Sequence, residues 1–211
     1  MNFFKNLFTS NKPIDRTLED ISQLQSKDII RFSDSFALPS QLRNHEFQIS
    51  SINSHEFETN TITEWALLGT TDQPLYLTKM SASQPYFKIS MRIDDEDIET
   101  LFDLDEFSEV FSEPGQAILN RKLDNAKTNN WTAEQYQQNT FAQVGYFHRQ
   151  DITKLSEQEI DQQGEAFELY QLRGNDEQYS IDIQVWNDGE TNVFLNLYRP
   201  LTDIIDLYPG S

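Results

Sequence analysis

Tyr179-Ser-Ile-Asp-Ile-Gln-Val-Trp186, Asn187-Asp-Gly-Glu190 and Asn192-Val-Phe-Leu-Asn-Leu-Tyr198 decide how this chain is read. Large or β-branched side chains alternate with polar ones on both sides of an Asp-Gly pair. Glycine supplies the positive φ that a tight hairpin turn needs, so the stretch predicts two antiparallel strands. Working toward the N terminus, residues 166–172, 141–147, 86–93, 74–78, 63–68, 46–52 and 28–32 are short, rich in aromatic or β-branched residues and bounded by turn signals. The five between 28 and 93 predict an antiparallel meander, and 141–147 and 166–172 read as further strands.

The two halves also end alike. Trp65-Ala-Leu-Leu-Gly69-Thr-Thr-Asp-Gln73 recurs as Tyr170-Gln-Leu-Arg-Gly174-Asn-Asp-Glu-Gln178, and Asp97-Ile-Glu-Thr-Leu-Phe102 recurs as Asp203-Ile-Ile-Asp-Leu-Tyr208. Two matches in the same order suggest a diverged tandem duplication. The fold class expected is therefore α+β and β-rich: two related antiparallel β units with short helices, forming two sheets or one merged sheet. The units divide as an amphipathic leader over 1–13, a first unit over 14–122 and a second over 123–211.

Helices are expected to be few. Residues 18–24 suggest a short one, and Asp94-Asp-Glu-Asp97 heads another that carries Ile98, Leu101 and Phe102 on one side, its acids complementing the helix dipole. Leu104, Phe107, Val110 and Phe111 continue that apolar stripe. Thr132-Ala-Glu-Gln135 matches a capping box before a further short helix. Asp97 and Asp203 read as caps for backbone N–H groups, or as a pair of acids in a shared cleft.

The chain has no cysteine, which excludes disulfides and thiolate zinc sites. Its 35 acidic and 16 basic residues give a net charge of -19, which disfavours nucleic acid and anionic membranes as partners. No apolar run is long enough to span a bilayer, and a cytoplasmic location is the expectation. Phe3, Phe4, Leu7 and Phe8 at helical spacing offer at most weak contact with a membrane surface. No basic residue interrupts the acidic run between Arg92 and Arg121. That run reads as a solvated face, or as a docking surface for a basic protein or a polyamine, with Asp94, Asp95, Glu96, Asp103 and Glu106 as candidate contacts. Trp65 and Tyr170 read as equivalent core aromatics, or as the lining of a ligand groove.

Catalytic motifs are absent: there is no phosphate loop, nucleophile elbow or zinc-protease helix. His45 and His55, with Glu46, Glu56 and Glu58 nearby, could form a carboxylate–histidine metal site, but a spacing of ten residues without a defined turn is weak evidence for one, and they read as ordinary surface histidines. Asp103-Leu-Asp105-Glu106 lacks the glycine of a calcium loop and reads as acid flanking a helix. No catalytic, cofactor or metal residue is assigned.

The 179–190 segment, followed by a strand and Asp203-Ile-Ile-Asp-Leu207, resembles the closing part of a bacterial domain family of unknown function. Thr63-Glu-Trp-Ala-Leu-Leu68 resembles its opening. That family sometimes occurs in tandem and is similar in layout to YjfK-like uncharacterised proteins, whose genes lie beside phage-shock and polyamine-related ones. The leader Phe3-Phe-Lys-Asn-Leu-Phe8 is also like the start of such proteins. The resemblance implies no catalytic residue, and a non-enzymatic accessory role linked to envelope stress or polyamine systems. The leading expectation is thus a non-enzymatic interaction module. The alternatives are a small-molecule or polyamine-binding protein, or an enzyme, with a cleft between the repeats, and an acidic mimic of nucleic acid.

Overall fold

The computed structural model describes residues 16–70, 73–81, 85–156, 160 and 164–210. The leader over 1–13 lies outside them, as does part of the connector between 154 and 164. The described residues form eleven strands: β1 (Ile29–Phe32), β2 (Glu46–Phe57), β3 (Thr61–Leu68), β4 (Leu75–Met80), β5 (Tyr86–Ile93), β6 (Ile118–Asn120), β7 (Gln135–His148), β8 (Glu165–Gly174), β9 (Tyr179–Trp186), β10 (Thr191–Pro200) and β11 (Ile204–Tyr208). They make one antiparallel sheet in the order β11-β1-β2-β3-β4-β5-β10-β9-β8-β7-β6. β2 also pairs with β7, Ser54 to Phe57 against His148 to Gly145. That contact closes eight strands, two four-stranded meanders (β2–β5 and β7–β10), into a ring.

Closure requires β2 and β7 to serve two sets of neighbours. The first part of β2 lies between β1 and β3, and the first part of β7 between β6 and β8. Both strands then bend, β2 through a register shift between Ile49 and Ser51, and β7 through shifts on either side of Thr140 with Ala142 at φ 46°. An extra residue on one strand kinks it and increases its twist, which lets the far halves meet.

Alternation along each strand separates two faces. In β5, Phe87, Ile89, Met91 and Ile93 are buried on one face, while Tyr86, Lys88, Ser90 and Arg92 lie on the other. β10 does the same, with Val193, Leu195 and Leu197 against Asn192, Phe194, Asn196 and Tyr198. The apolar face carries the core, and burying a side chain such as Leu77 or Ile183 there contributes about 1.5–3 kcal/mol. The core is covered by the 3-10 turn Ile21–Gln23, by α1 (Asp95–Leu101) and by the segment holding Leu119 and Trp131. At the β1 end the face folds over itself: the rings of Phe32 and Phe87 are 5.7 Å apart although three strands separate β1 from β5.

α1 forms where the acids predict it. Asp94 accepts the Asp97 N–H at 3.0 Å and Asp97 accepts the Asp94 N–H at 3.3 Å, a reciprocal box that satisfies two otherwise unpaired donors. Asp103 caps α2 (Leu104–Ser108) by accepting from the N–H groups of Asp105 and Glu106, and a 3-10 turn over Glu109–Phe111 follows. Among the described residues no helix is long and apolar enough to cross a membrane.

Two local expectations are corrected. Gln135 opens β7 rather than a helix: the Ala133 N–H donates to Tyr136 Oη at 2.8 Å, residues 135–137 pair with β6, and 136–137 pair with β8 as well. Pairing on two sides outweighs a short capping signal. The recurring Asp-Ile segments also differ in structure, since residues 97–101 lie in α1 whereas 204–208 form β11. Asp203 therefore caps no helix; its carboxylate accepts from Arg199 Nε at 2.7 Å.

Candidate functional site

The face opposite the core points into the ring. Two adjoining pockets of about 100 and 320 Å³ open there and share His55, Glu64, Gln184 and Phe194. Their walls come from both meanders, Glu64, Thr78 and Lys88 on one side, Gln171, Asp182 and Gln184 on the other. Strands from opposite sides of a closed ring can share a cavity only in its interior.

Register brings the polar groups together. Asn53, Glu64, Thr78, Lys88 and Tyr198 stand opposite one another across β2, β3, β4, β5 and β10. Gln171, Asp182, Phe194 and Arg92 form a second row across β8, β9, β10 and β5. Lys88 Nζ reaches across β10 to Asp182 Oδ2 at 2.8 Å, with both side chains largely buried. Gln171 donates to Asp182 Oδ1 at 2.8 Å. Glu64 contacts His55 Nε2 at 3.2 Å and accepts from Asn53 Nδ2 at 3.3 Å.

The charges are fixed by this geometry. Burial works against the charge of Lys88, but Asp182, then Tyr198 and Glu64, outweigh it and push the ammonium above its ordinary value. Burial likewise disfavours the carboxylates of Asp182 and Glu64. Lys88 and Gln171 outweigh that at Asp182, and His55, Asn53 and the charge of Lys88 do so at Glu64, so both are held below the ordinary range. A lysine kept protonated and carboxylates kept ionised are poor proton-transfer groups near neutral pH but make a strong fixed field.

The wall of the larger pocket is aromatic. Phe147 packs edge-on against Trp186 at 5.8 Å, and Tyr76 packs edge-on against Phe194 at 5.7 Å. Two polar atoms of this wall have no hydrogen-bond partner among the described residues: the donor Trp186 Nε1 and the acceptor Asn192 Oδ1. Asn192 is 9% exposed, so water competes weakly for its oxygen. At the rim, Arg92 pairs with Glu190 and Arg149 with Glu165, all four well exposed.

The residues singled out from sequence lie elsewhere. Trp65 and Tyr170 are buried at 3% and 6% exposure on the core face, where the Trp65 indole donates to the Leu24 carbonyl and the Tyr170 hydroxyl donates to Glu168. Asp95 and Glu96 are exposed on α1. Asp94 and Asp103 are caps, and Glu106 accepts from the Asn120 N–H at 3.0 Å. Asp97 is buried beneath Lys127, which bridges it to Asp94, and lies past the Ile93 end of the β5–β10 pair, whereas Asp203 follows the Pro200 end. His45 is exposed as expected, but His55 is a correction: at 9% exposure it faces the cavity. No group of three or more metal-ligating side chains occurs among the described residues. Lys88, Asp182 and Glu64 were missed because polar residues alternating with apolar ones look the same whether their face meets solvent or a cavity.

Comparison with known protein families, curated proteins and solved structures finds no match.

Proposed function

We propose that this protein is a small-molecule-binding module whose site is the polar cavity inside the strand ring. The observation that carries the proposal is the Lys88–Asp182 pair inside a cavity walled by both meanders. Burying an ion pair is often no better for stability than an apolar core, so its presence beside open space favours a role in recognition. Convergent polar groups among aromatic walls are the usual make-up of a ligand pocket. The test is retention of small molecules from a cell extract after dialysis, read by mass spectrometry. Wild type is expected to retain a compound that Gln184→Trp, which fills the cavity, loses while keeping its near-ultraviolet circular dichroism. No retained compound, or equal retention by both, overturns the reading.

The two meanders are also proposed to descend from one duplicated unit. Their common strand order supports this, with Trp65 and Tyr170 in the corresponding strands β3 and β8. Failure of β2–β5 to superpose on β7–β10 in an experimental structure, with these aromatics matched, would count against it.

A further inference from the structure

Five carboxylates line the two pockets, Glu64, Glu165, Asp182, Asp188 and Glu190, against three cations, Lys88, Arg92 and Arg149. Each cation has a carboxylate partner, Asp182, Glu190 and Glu165 respectively. Glu64 and Asp188 are left without a lysine or arginine partner among the described residues, Glu64 having only the His55 imidazole at 3.2 Å as a cationic neighbour in contact. Glu64 is the consequential one, because its side chain is only 13% exposed. A carboxylate in that setting gains most from a further cation brought in with a ligand.

The neighbouring surface suits a cation too. Among the described residues Asn192 Oδ1 is a buried acceptor with no donor, in the same pocket wall as Glu64. Trp186, Tyr76 and Phe194 offer π faces and apolar area, while Phe147 already carries the Arg149 guanidinium 5.5 Å from its ring centre, and aromatic faces attract ammonium ions more strongly once water is displaced. The unpaired Trp186 Nε1–H asks for an acceptor on the same ligand. Trp186 lies one step diagonally from Asn192 across the β9–β10 register, where diagonal neighbours are about 7–8 Å apart, within the span of a small molecule.

We infer that the cavity takes a small organic ammonium ion, held by Glu64 and Asn192 Oδ1, with its carbon body on Phe147 and Phe194 and an oxygen toward Trp186. This rests on the cavity being a ligand site. Glu64 and Asn192 bind through charge and hydrogen bonding alone; no covalent step is involved.

The experiment titrates the full-length chain with three probes of similar size, 1-aminobutane as its hydrochloride, 1-butanol and sodium butyrate. The readout is the Trp186 indole N–H resonance, assigned by its loss in Trp186→Phe. The amine is expected to move it saturably, with butyrate inert and butanol far weaker. Glu64→Gln should raise the amine Kd at least tenfold, and Asn192→Ala, which removes the unpaired acceptor, replaces it as the test if Glu64→Gln does not fold. A shift with butyrate but not amine overturns the cation assignment and leaves the cavity as a ligand site. No shift with any probe up to 100 mM overturns the cation assignment, and the extract assay then decides separately whether the cavity binds anything. An unchanged amine Kd in the folded variant also overturns the assignment.

Discussion

Lys88 and Asp182 show how one residue pair ties stability to the cavity. Each is costly to bury alone, and each is held in its charged form by the other. Asp182→Asn leaves the ammonium without its counter-charge, and the loss expected in urea unfolding is about 3–5 kcal/mol. The double variant Lys88→Met with Asp182→Leu removes both charges and should be the more stable of the two. If the single variant unfolds at the wild-type midpoint, the pair is not desolvated in solution.

Among the elements, the 3-10 turn Ile21–Gln23 carries a clear pH signature. Asp20 caps it by accepting the Ser22 N–H at 2.8 Å and is gripped by Lys79 Nζ at 2.7 Å. Burial raises its pKa, but the hydrogen bonds from Lys79 and Ser22 outweigh this and lower it from 3.8 to about 2. The folded value lies below the unfolded one, so this stabilisation is complete above the ordinary carboxylate range and disappears as pH falls toward 2. The stability gap between wild type and Lys79→Met, measured in urea, should therefore be widest above pH 4 and shrink steadily below it. A gap that stays constant from pH 6 to 2 would count against the coupling.

Elements of this kind were largely legible in the sequence. The β9–β10 hairpin follows from its alternation and from Gly189, which sits at φ +89° as an Asp-Gly turn requires. α1 follows from Asp94 and Asp97, which cap it. What the sequence could not convey is the far partner of a face. Thr132 to Gln135 carries local helix signals, yet the neighbours that make Gln135 a strand residue come from β6 and from the residue just beyond β8, 15 and 40 positions away at Asn120 and Asn175. The site was illegible for the same reason, since Lys88 and Asp182 are 94 residues apart and meet only because β5 joins β10.

For the whole molecule, the decisive contact is the β2–β7 seam, four residue pairs long. Without it the eight strands are an open sheet and the cavity loses a wall. Gly145 sits in the seam opposite Phe57 and Phe167, and a Cβ there would come within 2.6 Å of Phe167 and 2.8 Å of Phe57. Both rings belong to a packed aromatic cluster with His55, Phe147 and Trp186, so they have little freedom to withdraw. Gly145→Val is expected to speed amide hydrogen exchange at residues 54–57 and 145–148, while β4, β5, β9 and β10 keep their protection. Uniform acceleration across the sheet would show instead that the ring opens only when the whole fold does.

The opposite edge of the sheet has a consequence of another kind. The buried carboxylate of Asp28 accepts from Gly210 N–H at 2.7 Å and also holds Arg16, so the start and finish of the described chain meet at one side chain. Beside it Ile29 pairs with Tyr208, the outermost rung of β1 against β11. A force applied between the two ends would thus load these rungs one at a time from Ile29 inward, as a zip, rather than shearing them together. The molecule should yield mechanically at low force from this edge, with the strand ring giving way only after β1 and β11 have parted.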